Sequence, residues 1–281
     1  MNLFYKFLKV IDYIIKKISK KEFLLYLKVL IENNAYKKIK IMDKMITFFI
    51  PNQLVNWRVD TFFLKEPETL EWIDGFKTEE KIIFWDIGSN IGLYSIYASL
   101  KHKNAKIISF EPSTSNLRIL SRNISINSLE DKITICQLPL NDNSFKFEKM
   151  NESNFLEGFS ENTFGKEMNF EGKKMIVKNN YNILGTSIDH LVTKDILSCP
   201  NYIKIDVDGI EHLILNGAKN TLSDKRLKSV LVEINENFNE QYTSVMKIME
   251  NSNFKLKTKS HAEEFYKGNQ SKIYNFIFEK K

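Results

Sequence analysis

The chain has 281 residues, 43% of them apolar, with a formal net charge of +6 and a pI near 9.0. That apolar share excludes a wholly disordered chain, and the length suits one large α/β domain with an appendage. Lys, Asn, Ile and Phe are abundant together, as AT-rich codons produce, so the basic balance is no argument for a nucleic-acid partner.

Residues 1–50 read as two or three helices, a helical N-terminal extension ahead of a main domain over 51–281. Phe4, Phe7, Leu8, Ile11, Ile14, Ile15 and Ile18 fall on one stripe at helical spacing, with lysines elsewhere. Leu24, Leu27, Leu30 and Ile31 continue it, and Ile39, Met42, Met45, Ile46 and Phe49 make a third stripe stopped before Pro51. Two readings compete for this face. It packs on the domain or on a second subunit of a homo-oligomer, or it lies on an anionic membrane surface as a basic amphipathic helix. The N-terminus has no signal-peptide pattern and no run of 18 uncharged apolar residues. Cys136 and Cys199 form no metal, redox or disulfide spacing. A cytoplasmic chain, membrane-peripheral in the second reading, is the expectation.

The lead-in, 51–80, holds a strand-like Val59–Leu64. Pro67 suits the first turn of a helix to Ile73, with Gly75 after it.

Next comes K-I-I-F-W-D-I-G-S-N-I-G-L-Y-S, 81–95. It reads as a buried parallel strand, a glycine bend (Gly88, Ser89, Asn90, Gly92) and a helix facing the bend. Gly88 and Gly92 let a ligand approach the backbone. Asp86, at the strand end, is placed to accept from turn amides or from a ligand. The dinucleotide fingerprint G-x-G-x-x-G fails, because Asn90 and Leu93 stand where its second and third glycines belong, and no P-loop is present. The strand Ala105–Phe110 ends in Glu111, nineteen residues after Gly92. That offset suits a carboxylate accepting both hydroxyls of a ribose. A nucleoside ligand without pyrophosphate fits this pattern, with S-adenosylmethionine the leading candidate.

The βα rhythm continues through a helix from Ser113–Ser115 and a strand Ile133–Leu138 to a turn at Asn141–Asp142. Residues 143–185 break it, with short strands expected at Phe145/Phe147 and Met175–Val177 and a lid or variable loop between them. Ser187 caps a short helix in which Asp189 either bonds structurally or lines the cleft, the structural role being preferred. Asn201–Val207 is a strand ending in D-V-D-G, followed by a helix from Ile210 to Ala218. Ser229–Ile234, a helix with Val245, Ile248 and Met249, and the antiparallel pair Phe254–Lys257 and Ile273–Phe278 complete the chain.

D-I-G-S-N-I-G-L-Y-S, S-F-E-P at 109–112, T-S-I-D at 186–189 and I-K-I-D-V-D-G-I-E-H-L-I-L-N-G-A at 203–218, in this order, resemble the FkbM family of S-adenosylmethionine-dependent methyltransferases. K-E-P-E-T-L-E-W-I-D, 65–74, resembles a branch of it. The resemblance covers roughly 57–280. It implies an α/β, class I methyltransferase-like doubly wound sheet, mostly parallel with an antiparallel last strand. It also implies O-methylation of a hydroxylated small molecule, with a sugar or nucleotide-linked sugar of surface-polysaccharide synthesis as the expected acceptor. In resembling enzymes the lead-in covers the cofactor, which makes Glu66 and Thr69 candidates for its ammonium or carboxylate. Asp142 stands near where class I methyltransferases often hold adenine.

Ligands of open α/β sheets bind outside the carboxyl ends of the strands. Asp86 and Glu111 then serve the cofactor, and Asp206 and Glu233 face the acceptor. Asp206 is the first choice as general base, with helix capping as its alternative, and His212 is the second. Asp206, Glu233 and Asn235 also form a set for Mg²⁺ or Mn²⁺, as in small catechol-type O-methyltransferases. Lys204, in a buried strand, needs Glu111 or Asp206 as a partner. Rival readings are a nucleic-acid methyltransferase, disfavoured because D-V-D-G replaces [DN]-P-P-[YFW], and a non-catalytic cofactor-binding partner protein.

Overall fold

The computed structural model describes residues 3–77 and 81–281. Helices α1 (Leu3–Ser19) and α2 (Phe23–Asn33) pack on each other as a hairpin, and none of their residues is fully buried.

The third helical stripe does not form. Residues 36–49 are an antiparallel hairpin, β1 (Tyr36–Ile41) and β2 (Lys44–Phe49), turning at Met42 and Asp43 with Met42 at φ 54°. Ile39 and Ile41 alternate with lysines at period two, and the same apolar residues also satisfy a helical spacing. Tertiary packing decides between them, because Ile41, Ile46, Phe48 and Phe49 are buried in the main core.

The strand expected at Val59–Leu64 is helical. Asn52 caps α3 (Gln53–Asp60) by accepting from Val55 N at 2.9 Å, and α4 (Phe62–Lys65) follows. Val55, Val59 and Phe62 recur at helical spacing and are buried. The Pro67-initiated helix is present as α5 (Pro67–Asp74), with Gly75 after it.

The rest is a doubly wound α/β sandwich. Its elements are β3 (Ile83–Ile87), α6 (Leu93–Lys101), β4 (Lys106–Phe110), α7 (Thr114–Ile126) and β5 (Ile133–Cys136). The insertion contributes β6 (Lys146–Glu152), β7 (Asn162–Phe164) and β8 (Asn179–Gly185), a separate sheet of order β7-β6-β8. The remaining elements are α8 (Ile188–Thr193), β9 (Tyr202–Ile205), α9 (Glu211–Asn216), α10 (Lys219–Ser223), β10 (Ser229–Asn235), α11 (Asn239–Asn251), β11 (Phe254–Ser260) and β12 (Ile273–Lys280). The central sheet has the order β11-β12-β10-β9-β3-β4-β5, with β12 antiparallel to both neighbours.

Two apolar cores flank this sheet, and side-chain alternation assigns residues to them. Phe84, Ile107, Tyr202 and Leu231 join the core on the α5–α6 side, whereas Trp85, Ile108, Ile203 and Val232 join the core on the α9–α11 side. The chain leaves β3 toward β4 and returns to β9, so the strand order reverses between β3 and β9, where such folds open a ligand crevice. Asn123 of α7 and Asn127, just past its end, bind the backbone of β2 at Phe49 and Thr47, which fixes the N-terminal hairpin to the domain. Asp189 accepts from Asn220 N, Thr221 N and the Thr221 hydroxyl, a structural role as expected.

Candidate active site

The crevice at the strand reversal is a cavity of about 300 Å³. Its floor is the glycine bend. Gly88 N and Ser89 N both donate to Phe110 O at 3.0 Å, which ties the bend to β4. Gly88 and Gly92 sit at φ +83° and +89°, and Asn90, a residue that tolerates this region, at 50°. A Cβ on Gly88 would stand 1.8 Å from the Asp206 carbonyl oxygen, so the bend and the D-V-D-G loop are pressed together.

Glu111 faces this bend. Its Oε2 accepts from Asn90 N at 2.8 Å and its Oε1 from Ser113 N at 2.9 Å. Each oxygen retains acceptor capacity toward the cavity it lines. Burial raises its pKa to about 8, against the pull of those two amides. Asn90 Oδ1 and Asn162 Oδ1, on two other walls, are buried without a hydrogen-bond partner. Leu138, Pro139 and Leu140 form an apolar wall beyond Glu111.

The other half of the cavity is charged. Alternation directs Asp86, Lys204 and Glu233 to the α5–α6 face of the sheet, at neighbouring register positions for the first two. Lys204 Nζ bonds Asp206 Oδ2 at 2.6 Å and lies 4.8 Å from the Tyr94 ring centre. Burial opposes its charge, but Asp206, Glu66 and Asp86 outweigh it and hold its pKa well above the usual lysine range. Lys65 Nζ bonds Glu66 Oε1 at 2.9 Å. Burial likewise opposes the Glu66 charge, yet Lys65 and Lys204 hold its carboxyl below the usual range. Among the described residues Glu233, like the buried Asp86, has no ammonium at ion-pair distance. Burial first, then Asp206, pushes its pKa well up.

The insertion roofs the cavity. Phe159 O accepts from Asn90 Nδ2 at 3.3 Å and Asn116 Nδ2 at 3.0 Å, and Glu161 N donates to Asp208 Oδ2 at 2.8 Å. Phe159, Asn162, Phe164 and Phe170 line the site from above. The lid therefore touches both the bend and the D-V-D-G loop.

Glu66, Gly88, Ser89, Asn90, Glu111, Asp206 and Glu233 thus come together around one cavity. Five expected residues are placed elsewhere. Asp86 lies below the bend, fully buried, with Oδ2 accepting from Ser95 Oγ at 2.5 Å; it receives neither a turn amide nor the cavity. Thr69 is buried behind Glu66 and donates to it at 3.3 Å, and Gly92 backs onto Leu120. Asp142 is exposed and outside the lining, because the chain presents Leu138–Leu140 to the cavity before the turn begins. His212 is buried edge-on to Phe238, since Ile210 and Ile214 of the same helical stretch take the cavity side.

Asn235 is also withdrawn from its expected set. Its amide donates to Phe170 O at 3.0 Å, while its backbone N–H donates to Gln241 Oε1. Glu66 takes its place, with ligand oxygens of Glu66, Asp206 and Glu233 within 4.8 Å of one another. This set does not fit a divalent cation, because the Lys65 and Lys204 ammonium groups already occupy two of the three carboxylates. Arg58, Lys65, Asn162 and Tyr266 line the cavity without having been singled out. Arg58 and Lys65 come from the lead-in, Asn162 from the variable loop and Tyr266 from the loop between the last two strands, where only a cation or amide beside a strand-end carboxylate would mark them.

A profile of the methyltransferase FkbM domain matches residues 86–256. The chain belongs to this family. It is 27% identical over 166 residues to the hexuronic acid methyltransferase AglP of Haloferax volcanii, covering 56% of this chain and 58% of that protein. It is 48% identical over 42 residues to the methyltransferase sdnD of Sordaria araneosa, covering 15% of this chain and 16% of that protein. The chain thus spans less than two thirds of the length of either relative. A crystal structure of an FkbM methyltransferase from Methylobacillus flagellatus KT superposes with a TM-score of 0.46 at 14% identity, covering 70% of this chain and 43% of that one. The FkbM-like cleft described here fits S-adenosylmethionine on its own geometry: the Glu111 oxygens and the unpartnered Asn90 Oδ1 offer acceptors for a ribose beside an apolar wall for a base. Among the described residues, no helix is long and apolar enough to cross a membrane.

Proposed function

We propose that this FkbM-family chain methylates a hydroxyl group of a sugar or nucleotide-linked sugar, with S-adenosylmethionine as donor. The observation that carries the reading is the pairing of Glu111, bonded to the glycine bend, with the Asp206–Lys204 ion pair across one cavity. The name of the AglP relative supports a sugar acceptor. Surface-polysaccharide synthesis in the cytoplasm is a setting in which such an acceptor would be met.

Bound S-adenosylmethionine supplies an electrophilic methyl carbon on a sulfonium, whose sulfur keeps the C–S electron pair when the bond breaks. Glu111 and Asn90 then hold the ribose, and the lid residues Phe159 and Phe164 exclude water. Asp206 accepts the proton that the acceptor hydroxyl loses as its oxygen bonds the methyl carbon. Lys204, 2.6 Å from Asp206, keeps a positive charge beside that carboxylate and fixes its rotamer. The protein's main contribution is alignment of oxygen, carbon and sulfur at near-attack distance.

The test is incubation with methyl-labelled S-adenosylmethionine and a panel of sugars, nucleotide-linked sugars, oligonucleotides and phenols. Label in an ether of a sugar supports the reading. Label in an oligonucleotide, or tight donor binding with no transfer across the panel, overturns it.

A further inference from the structure

Three cations line the cavity, namely Arg58, Lys65 and Lys204. Two are spoken for by Glu66 and Asp206. Arg58 is different. Its Nε donates to Gly158 O at 2.5 Å, which holds the side chain against the lid, and its Nη atoms have no partner among the described residues. A half-buried guanidinium with its fork open toward a cavity is built to take a carboxylate or phosphate in two parallel bonds. Its surroundings match a sugar. Trp57, the preceding residue, stands 41% exposed at the cavity edge with Phe265 against its ring at a centroid distance of 6.4 Å. Aromatic faces beside a planar cation provide an apolar seat for a sugar ring and a polar anchor for its acidic group.

We infer that Arg58 is the specificity residue for an anionic acceptor, binding the carboxylate of a uronic acid or the phosphate of a nucleotide-linked sugar while the ring rests on Trp57 and Phe265. This rests on the sugar-methylation reading and deepens it. The charge balance of the cavity agrees. Glu66, Asp206, Asp208 and Glu233 line the same cavity and would repel a free anion, so a cation among them is needed to admit one, and Arg58 is the one held to the lid.

Calorimetry on the full chain separates the possibilities. The probes are S-adenosylmethionine, glucuronate, glucose and a nucleoside-diphosphate glucose, each against wild type, Arg58→Gln and Arg58→Lys. The expected result is that Arg58→Gln weakens one anionic probe by about 10- to 100-fold, the loss of charge-assisted bonds to one group. Arg58→Lys should restore part of that loss, and glucose and the donor should bind as before. Loss confined to glucuronate assigns the carboxylate, and loss confined to the nucleotide-linked sugar assigns the phosphate. A drop in donor affinity with acceptors unchanged would give Arg58 to the donor's own carboxylate and overturn the inference, as would equal weakening of glucose and glucuronate. Failure of the donor to bind wild type is a separate outcome, and it sinks the methyltransferase reading instead.

A second observation stands on its own. The open face of α1 carries Leu3, Phe7, Val10, Ile14 and Ile18, each 49–81% exposed, while Leu8, Ile11 and Ile15 turn toward α2. The domain core does not cover this face, so intramolecular packing is not its purpose. Lys6 and Lys17 flank the stripe at helical spacing, Lys9 and Lys16 (the latter paired with Glu22) follow around the helix, and Lys20 and Lys21 stand just past its end. Asp12, the one acid in α1, turns inward to accept from Leu24 N at 2.9 Å. We further propose that this hairpin docks on an anionic lipid surface, its apolar stripe in the acyl boundary and its lysines at the headgroups. Co-sedimentation at low salt should pellet the full chain with phosphatidylglycerol vesicles and leave it in the supernatant with phosphatidylcholine. Phe7→Asp/Ile14→Asp should abolish pelleting while donor binding and circular dichroism stay intact. A stable dimer by light scattering that the same pair of changes dissociates, or pelleting that ignores lipid charge, assigns the stripe elsewhere.

Discussion

The two halves of the cavity stabilise charge by opposite means. At the Glu111 end, a carboxylate is satisfied by two backbone amides, and its acceptor capacity is spare. At the Asp206 end, carboxylates are satisfied by the two buried or half-buried ammonium groups Lys204 and Lys65. Amides are fixed by the fold and exert only partial charges, so burial wins and the Glu111 pKa rises. Ammonium groups carry full charge, so Glu66 stays ionised despite deeper burial. The contrast teaches that one end is suited to hydrogen-bonding neutral hydroxyls and the other to moving a proton.

The largest effects should come from breaking the ion-paired end. Lys204→Met removes the cation facing Asp206, Glu66 and Asp86, and leaves buried carboxylates uncompensated. Stability should fall by about 3–5 kcal/mol, seen as a lower midpoint in urea. An unchanged midpoint means that Lys204 is not the counter-charge. Asp206→Asn keeps the shape and most hydrogen bonds but cannot take a proton. Turnover with a saturating sugar acceptor should drop by about 10²- to 10⁴-fold with donor affinity within about 2-fold of wild type. Turnover near normal would pass the role of base to Glu233.

The amide-held end should respond to pH. Ribose hydroxyls donate better to an ionised Glu111, so donor affinity should rise as pH climbs toward about 8 and level off above it. Glu111→Gln should flatten that profile and cost about 10-fold in affinity at pH 8.5. The stability linkage has the opposite sense. The folded-state pKa is raised, so the folded chain holds the proton longer than the unfolded one, and stability is lost as pH rises from about 4.5 to about 8. Thermal melts at pH 8.5 should therefore favour Glu111→Gln over wild type in the absence of donor, with the difference gone at pH 4. A donor-binding profile that is equally flat in both proteins removes Glu111 from the ribose.

What was legible follows from the range of each interaction. The bend, Glu111, and Lys204 with Asp206 are local: glycine spacing, one strand-to-strand offset and a period-two pair encode them. The βα alternation follows from the same rhythm, whereas the doubly wound sheet with its antiparallel last strand is what the resemblance to FkbM enzymes implies. Arg58, Lys65 and Tyr266 reach the cavity through packing of the lead-in and of the loop after β11, and no periodicity in those segments points inward. The 36–49 hairpin is not legible because its apolar residues satisfy two periods at once; its choice depends on Asn123 and Asn127, 74 and 80 residues after the backbone groups they bind. Asp86 shows a further limit. Strand-end position was readable, but which side of the bend the carboxylate faces depends on Ser95 and Ser109, which close a polar cluster beneath it.

The smallest effect belongs to a residue in neither half. His212 has Nδ1 unpartnered in a buried site against Phe238, and burial lowers its pKa. His212→Phe should leave transfer to a sugar acceptor within about 2-fold of wild type, as expected of a change away from the reacting atoms. Its signature is in stability instead. A folded-state pKa below the unfolded value means that the unfolded chain takes up the proton first, so wild type loses stability as pH falls through about 6.5 and below. The Phe variant lacks that proton site. Melting temperatures of the two proteins, compared at pH 7.5 and pH 5.5, should show the wild type falling further, because every other titrating group is common to both. Equal falls would mean that the imidazole is solvated rather than buried, and a loss of turnover would bring His212 back as a second base beside Asp206.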